Sequence, residues 1–235
     1  MSHVWKNSVR YGVLPCLLLL VFLAQTHCPV IHRTCALWSD HPRWWQFFTC
    51  SFLSGNRVHL GFNVLGMTVL YSQFSRSVRF PVILILFILF SAITAVLYFW
   101  FCMPAHAWLV GASGGIYTLL GFFSWFLRCD RICFLGFRKL SAPIIPAIST
   151  LLFAEYLAAR FWLPVVAWQM HVIGFLVGIS GALVLHGVYA GVNRLAAEVP
   201  SLSCTLAVAA IQWISLQLRR LRNLSGIPVS RPVTE

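Results

Sequence analysis

Residues 80–127 read FPVILILFILFSAITAVLYFWFCMPAHAWLVGASGGIYTLLGFFSWFL, without one Asp, Glu, Lys or Arg. A helix crosses the roughly 30 Å hydrocarbon core of a bilayer in about 20 residues, so this stretch holds two spans. A tight turn at Met103 to Ala107 joins them. Further apolar runs lie on both sides, and the chain offers six spans in all, at about 11–30, 57–75, 80–100, 109–127, 142–161 and 164–188. The short polar or proline-bearing joints between them leave no room for a second, soluble domain. Composition agrees: the 235 residues are 60% hydrophobic and 9% charged, against about 25% charged in a soluble globule. That deficit also excludes a disordered, collagenous or coiled-coil chain. The expected fold class is an all-α membrane protein, a six-transmembrane-helix bundle followed by a C-terminal interfacial helix.

The formal net charge is +12, but the Lys and Arg residues stand singly or in pairs between apolar runs. Such spacing marks membrane borders and excludes a nucleic-acid surface. With the N-terminus inside, one face holds Lys6, Arg10, Arg76, Arg79, Arg128, Arg131, Arg138, Lys139, Arg194, Arg219, Arg220, Arg222 and Arg231. The other holds Arg33, Arg43, Arg57 and Arg160. The excess of positive residues on the first face places the N-terminus in the cytoplasm. Residues 1–10 are then a cytoplasmic N-terminus, 11–190 the membrane domain and 191–235 a cytoplasmic tail. A seventh span at 201–218 would move four arginines outward, so an amphipathic helix at about 201–222 is expected instead. Its apolar face carries Leu202, Leu206, Ala209, Trp213 and Leu216, and its Arg-rich end suits anionic lipid. The first span resembles a secretory signal, but no small-x-small cleavage site follows, and it reads as an anchor. The eight cysteines contain no CxxC pair and no metal set; Cys28 and Cys35 could pair if their loop is extracytoplasmic.

Polar side chains within spans are costly, so each invites a functional reading. His59 and Asn63 lie four residues apart on one helical face. Gly111-Ala112-Ser113-Gly114-Gly115 opens the fourth span and matches G-x-S-x-G, although the α/β-hydrolase elbow needs a soluble sheet that membrane flanks exclude. His171 precedes the close-packing pair Gly174 and Gly178 on the sixth span. Taken singly, the first and third clusters read more readily as helix-to-helix contacts, and the second reads equally as one. At about 1.5 Å per residue, Asn63 lies roughly 10 Å below Asn56, Ser113 roughly 7 Å below Trp108 and His171 roughly 10 Å below Pro164. A serine, a histidine and side-chain donors at one depth are the set an acyl-transfer site requires. Ser113 would attack, His171 would take its proton, and the Ser113 N–H with His59 and Asn63 would hold the oxyanion. Glu155, the one carboxylate inside a span, either orients His171 or makes a structural hydrogen bond to a neighbouring helix, the second being preferred. His186 lies too deep to join the site.

From about Trp45 to Val188, the succession HxxxN, GxSGxxY and HxxGxxxG resembles the rhomboid intramembrane serine proteases. The resemblance implies a Ser-His dyad of Ser113 and His171, with His59 and Asn63 as oxyanion side chains. It further implies that Tyr117 packs on the catalytic histidine, that Gly121 matches a family glycine on the same helix, and that Gly174 and Gly178 let helix six approach helix four. Cleavage of transmembrane protein substrates near the outer face, without metal or cofactor, is the implied activity. The chain departs from the family pattern at Gln46, where Arg is common, at Ser54, where His is common, and at Met170, where a small residue usually precedes the histidine.

The alternative is a non-catalytic rhomboid-like binder of transmembrane helices; a transporter would need broken helices and midplane charges. Without an Arg- and Ser-rich leader, a plasma or bacterial inner membrane is expected, with an organellar membrane as the alternative.

Overall fold

The computed structural model of the chain describes residues 2–74, 80–126, 131–133, 141–161 and 167–198. These residues are mostly helical: α1 (Ser2–His27), α2 (Pro29–Cys35), α3 (Gln46–Thr49), α4 (Arg57–Phe74), α5 (Phe80–Phe101), α6 (Ser113–Phe126), α7 (Ile144–Phe161) and α8 (Trp168–Glu198). Two small antiparallel pairs interrupt them: β1 (Leu37–Trp38) with β2 (Trp108–Leu109), and β3 (Arg131–Cys133) with β4 (Ser141–Pro143). By length and apolarity, Phe80–Phe101 and Trp168–Val188 can each cross a membrane. A third candidate is a broken one, because Gly12–His27 and Pro29–Cys35 meet at 113°. The bend falls at Cys28, where Pro29 has no N–H to continue α1 but suits the first turn of α2. The charged joint at 76–79, Pro164 and the expected amphipathic helix at about 201–222 lie outside the described residues.

Helix α6 is the centre of the bundle. Ile116, Leu119, Phe122 and Phe123 are buried on it, against Leu14 and Leu18 of α1, Met67 and Tyr71 of α4, Ile83 and Phe87 of α5, and Ala182 of α8. A helix buried all round belongs inside a core. Helix α5 instead has two faces. Ile83, Phe87, Ser91, Ala95 and Tyr98 recur at helical spacing toward the core, whereas Ile85, Leu89, Ile93 and Val96 point outward. An outward apolar face of that length suits contact with lipid.

A second apolar cluster of Leu37, Cys50, Ala95, Tyr98, Leu109 and Met170 closes one end of the bundle. Around it stand Trp38, Trp44, Trp45, Trp100 and Trp108, with Trp44, Trp100 and Trp108 exposed. Such a girdle of indoles marks the water interface, since the ring is apolar and its N–H is not. The turn that joins α5 to β2 lies here as expected from the sequence, with His106 at a φ of 56°. Cys28 and Cys35 are free thiols, so the disulfide considered from the sequence is not formed.

Candidate active site

Asn56 caps α4. Its side-chain Oδ1 accepts the His59 N–H at 2.8 Å and its carbonyl accepts the Leu60 N–H at 2.9 Å, which satisfies donors that a helix start otherwise leaves orphaned. His59 therefore sits in the first turn, and its Nδ1 accepts the Gly55 N–H at 3.3 Å. Accepting at Nδ1 puts the proton on Nε2. That edge faces Gly111, where a Cβ would lie 2.6 Å from His59 Cε1, 2.9 Å from Nε2 and 3.6 Å from Ser113 Oγ. Asn63, one turn further along α4, is 3% exposed, and its amide makes no hydrogen bond among the described residues.

The backbone ahead of Ser113 is not helical, which corrects the expected span at 109–127. Trp108 and Leu109 pair with Trp38 and Leu37, Gly111 has a φ of +136°, and α6 begins only at Ser113. The serine's depth below Trp108 is thus set by an extended segment and a glycine turn, and the helical rise of 1.5 Å per residue does not apply. A strand, a turn and a helix do flank the serine in miniature, but the strand belongs to a two-stranded antiparallel pair. The Gly111 N–H is fixed by the Cys50 carbonyl at 2.9 Å. Burial pushes the Cys50 thiol up to about 12, so this neighbour stays protonated and is no rival nucleophile.

His171 stands in the first turn of α8, and Tyr117 stacks on it with ring centroids 4.6 Å apart and planes 14° from parallel. The contact depends on α6 and α8 touching backbone to backbone. A Cβ on Gly174 would lie 2.5 Å from the Gly114 carbonyl oxygen, one on Gly178 would overlap the Thr118 carbonyl, and one on Gly121 the Phe175 carbonyl. Met170 fills the remaining space over Gly114 and is buried. Among the described residues no hydrogen bond joins Ser113 Oγ to His171.

Glu155 of α7 makes two bonds at this point. Its Oε2 lies 2.6 Å from His171 Nδ1, and its Oε1 accepts the Tyr117 hydroxyl at 2.5 Å. The signal in the sequence was its isolation, a single carboxylate in an apolar run; the side of α7 it would face was not readable there. His186 is exposed on α8, away from the cluster.

The loop between α2 and α4 is tied down by the Gln46 side chain and by the backbone at Ser54, two of the positions that depart from the family pattern. Gln46, 2% exposed, donates from Nε2 to the Thr34 carbonyl at 3.2 Å and accepts the Arg43 N–H at 3.0 Å. The Ser54 N–H donates to Gln25 Oε1 at 3.1 Å, and Gln25 Nε2 returns a bond of 2.5 Å to the Ser54 carbonyl.

Lipid-facing apolar helices around an internal cluster of serine, histidines, asparagine, tyrosine and glutamate define a helical membrane protein with a polar site at its interfacial end. A rhomboid domain is matched over residues 41–188, and the chain belongs to the rhomboid family. No individual curated protein matches it.

Proposed function

We propose that this chain is an intramembrane serine endopeptidase that cleaves transmembrane protein substrates near the outer face of the membrane. In this reading the helices form six spans over 11–190, the segment 1–10 and the tail 191–235 are cytoplasmic, and the tail's amphipathic stretch rests on lipid. Ser113 Oγ attacks the scissile carbonyl carbon while its proton passes to His171 Nε2. The oxyanion takes hydrogen bonds from the Ser113 N–H and the side chains of His59 and Asn63, each donor contributing about 3 kcal/mol. As the tetrahedral intermediate collapses, the C–N bond breaks and the departing amine takes the proton from His171. Water then attacks the acyl-serine ester, again giving its proton to His171, and the ester oxygen of Ser113 recovers it. The tight packing of Gly111, Gly114, Gly121, Gly174 and Gly178 sets the distances.

The observation that carries the proposal is the convergence of His59 Cε1 and Ser113 Oγ on Gly111, with His171 stacked on Tyr117 one turn further along the helix that Ser113 opens. The missing Ser113 to His171 hydrogen bond is compatible with it, because such bonds are often long without substrate. Family membership supports it as well, since rhomboids are in general serine proteases of transmembrane substrates. A fluorophosphonate probe tests it in liposomes. Wild type should be labelled at Ser113, and Ser113→Ala and His171→Ala should not. An unlabelled folded wild type would instead favour a non-catalytic member that binds transmembrane helices.

A further inference from the structure

We propose that Glu155 is a positioning residue that completes a Ser-His-Glu relay, holding His171 with its proton on Nδ1 so that the Nε2 lone pair is free to take the Ser113 proton. The inference rests on the serine-protease reading above and adds a third residue, carried by a separate helix, to the dyad.

Three observations lead to it. Glu155 Oε2 is 2.6 Å from His171 Nδ1, the ring nitrogen that does not serve the serine in the proposed reaction. A carboxylate only accepts, so pairing with Nδ1 places the neutral ring's proton there and leaves Nε2 as the acceptor. The second oxygen is not left idle, because it takes the Tyr117 hydroxyl at 2.5 Å, and Tyr117 is the ring stacked on His171. The carboxylate is thereby fixed from two sides, and the imidazole is fixed at its edge by Glu155 and on its face by Tyr117. Finally, both partners are largely enclosed, with side-chain exposures of 10% for His171 and 25% for Glu155, so the pair is only weakly screened.

Among the described residues, Glu155 from α7 and Tyr117 from α6 lie directly against the His171 ring. Of the two, Glu155 alone bears a carboxyl group. When His171 accepts the Ser113 proton, the imidazolium forms beside a carboxylate already in place, without reorganisation. A purely structural hydrogen bond between α7 and α8 would need neither the negative charge nor the choice of Nδ1.

The test uses the full chain in liposomes with a fluorophosphonate probe, alongside ¹⁵N-histidine spectra that distinguish the two neutral tautomers. Glu155→Gln keeps size and hydrogen-bonding capacity but removes the charge. It is expected to slow Ser113 labelling at least a hundredfold at an unchanged melting temperature, and to move His171 away from the Nδ1–H form expected in wild type. Glu155→Asp, which keeps the carboxylate, is expected to label at least tenfold faster than Glu155→Gln. If Glu155→Gln does not fold, Glu155→Leu replaces it, since an apolar side chain is readily accepted inside a membrane domain, and the same slowing is expected. Wild-type labelling in the charge-less variants, or equal slowing in the Asp and Gln variants, would overturn the relay and leave the dyad standing. Wild type that is folded but unlabelled would overturn the protease reading itself and the relay with it.

Discussion

The Gly111 N–H donates to the Cys50 carbonyl across 2.9 Å, so the loop below the interface holds the backbone two residues ahead of Ser113. The loop is itself held by Gln46 and by the paired amide bonds of Gln25 with Ser54. Burying Gln46 requires that both ends of its amide be satisfied, and they are. An uncharged residue at this position therefore still fastens the loop, by hydrogen bonds to backbone in place of an arginine's contacts.

Gly111 should tolerate no side chain. Its φ of +136° is rarely open to L-residues, and a Cβ would press on the His59 ring at 2.6 Å. Gly111→Ala is expected to cost about 2 to 3 kcal/mol in stability and to abolish fluorophosphonate labelling. Thermal melting in detergent with probe labelling checks both, and a variant with native melting and labelling would refute the strained turn.

Two glycines on α8 should respond in opposite ways. A Cβ on Gly178 overlaps the Thr118 carbonyl and the Phe122 N–H of α6, whereas one on Gly187 meets nothing within 4 Å. Gly178→Ala should force α6 and α8 apart and lower stability by about 1 to 3 kcal/mol. Gly187→Ala should be neutral or gain up to about 1 kcal/mol from helix propensity. Equal melting temperatures for the two variants would contradict the backbone contact.

Asn63 separates charge stabilisation from packing. If its amide serves the oxyanion, Asn63→Ala should lower kcat by up to about a hundredfold with little change in KM, while stability falls by no more than about 1 or 2 kcal/mol. A packing role would show the reverse: less folded protein, with normal turnover per labelled site.

The exposed pair of Asp40 and His106 should make the turn after α5 sensitive to acid. The His106 ring Nδ1 lies 3.0 Å from Asp40 Oδ2, and the His106 N–H donates to Oδ1 at 3.2 Å. Chiefly through the side-chain bond, the pair holds the Asp40 carboxyl below its ordinary value. A carboxyl lowered in the folded state contributes stability that is present above its unfolded pKa of about 4 and is lost as pH falls through the lower folded value. Wild type and Asp40→Asn should therefore differ in melting temperature at neutral pH and converge below about pH 4. Added salt should narrow the difference, since both groups are in water. A gap that persists at low pH would point to the neutral hydrogen bond alone.

The sequence by itself determined the membrane class and the places where helices form. Hydrophobic length and the absence of charge are local, additive properties, and the runs at 57–75, 80–100 and 142–161 correspond closely to α4, α5 and α7. It also singled out His59, Asn63, Ser113 and His171, because polar groups stand out in an apolar chain, while Tyr117 was reached through the family resemblance. Only the tertiary structure decided where α6 starts, since Trp108 and Leu109 leave the helix to pair with a strand some seventy residues earlier. That pairing is non-local, and no periodicity around Ser113 records it. The partnering of Glu155 is of the same kind. Its cost in lipid was visible from one residue, but its two partners lie on α6 and α8, and which face of α7 meets them is fixed only when the three helices pack. Hydrophobicity acts along the chain and was legible; hydrogen bonding between helices acts across it and required the fold.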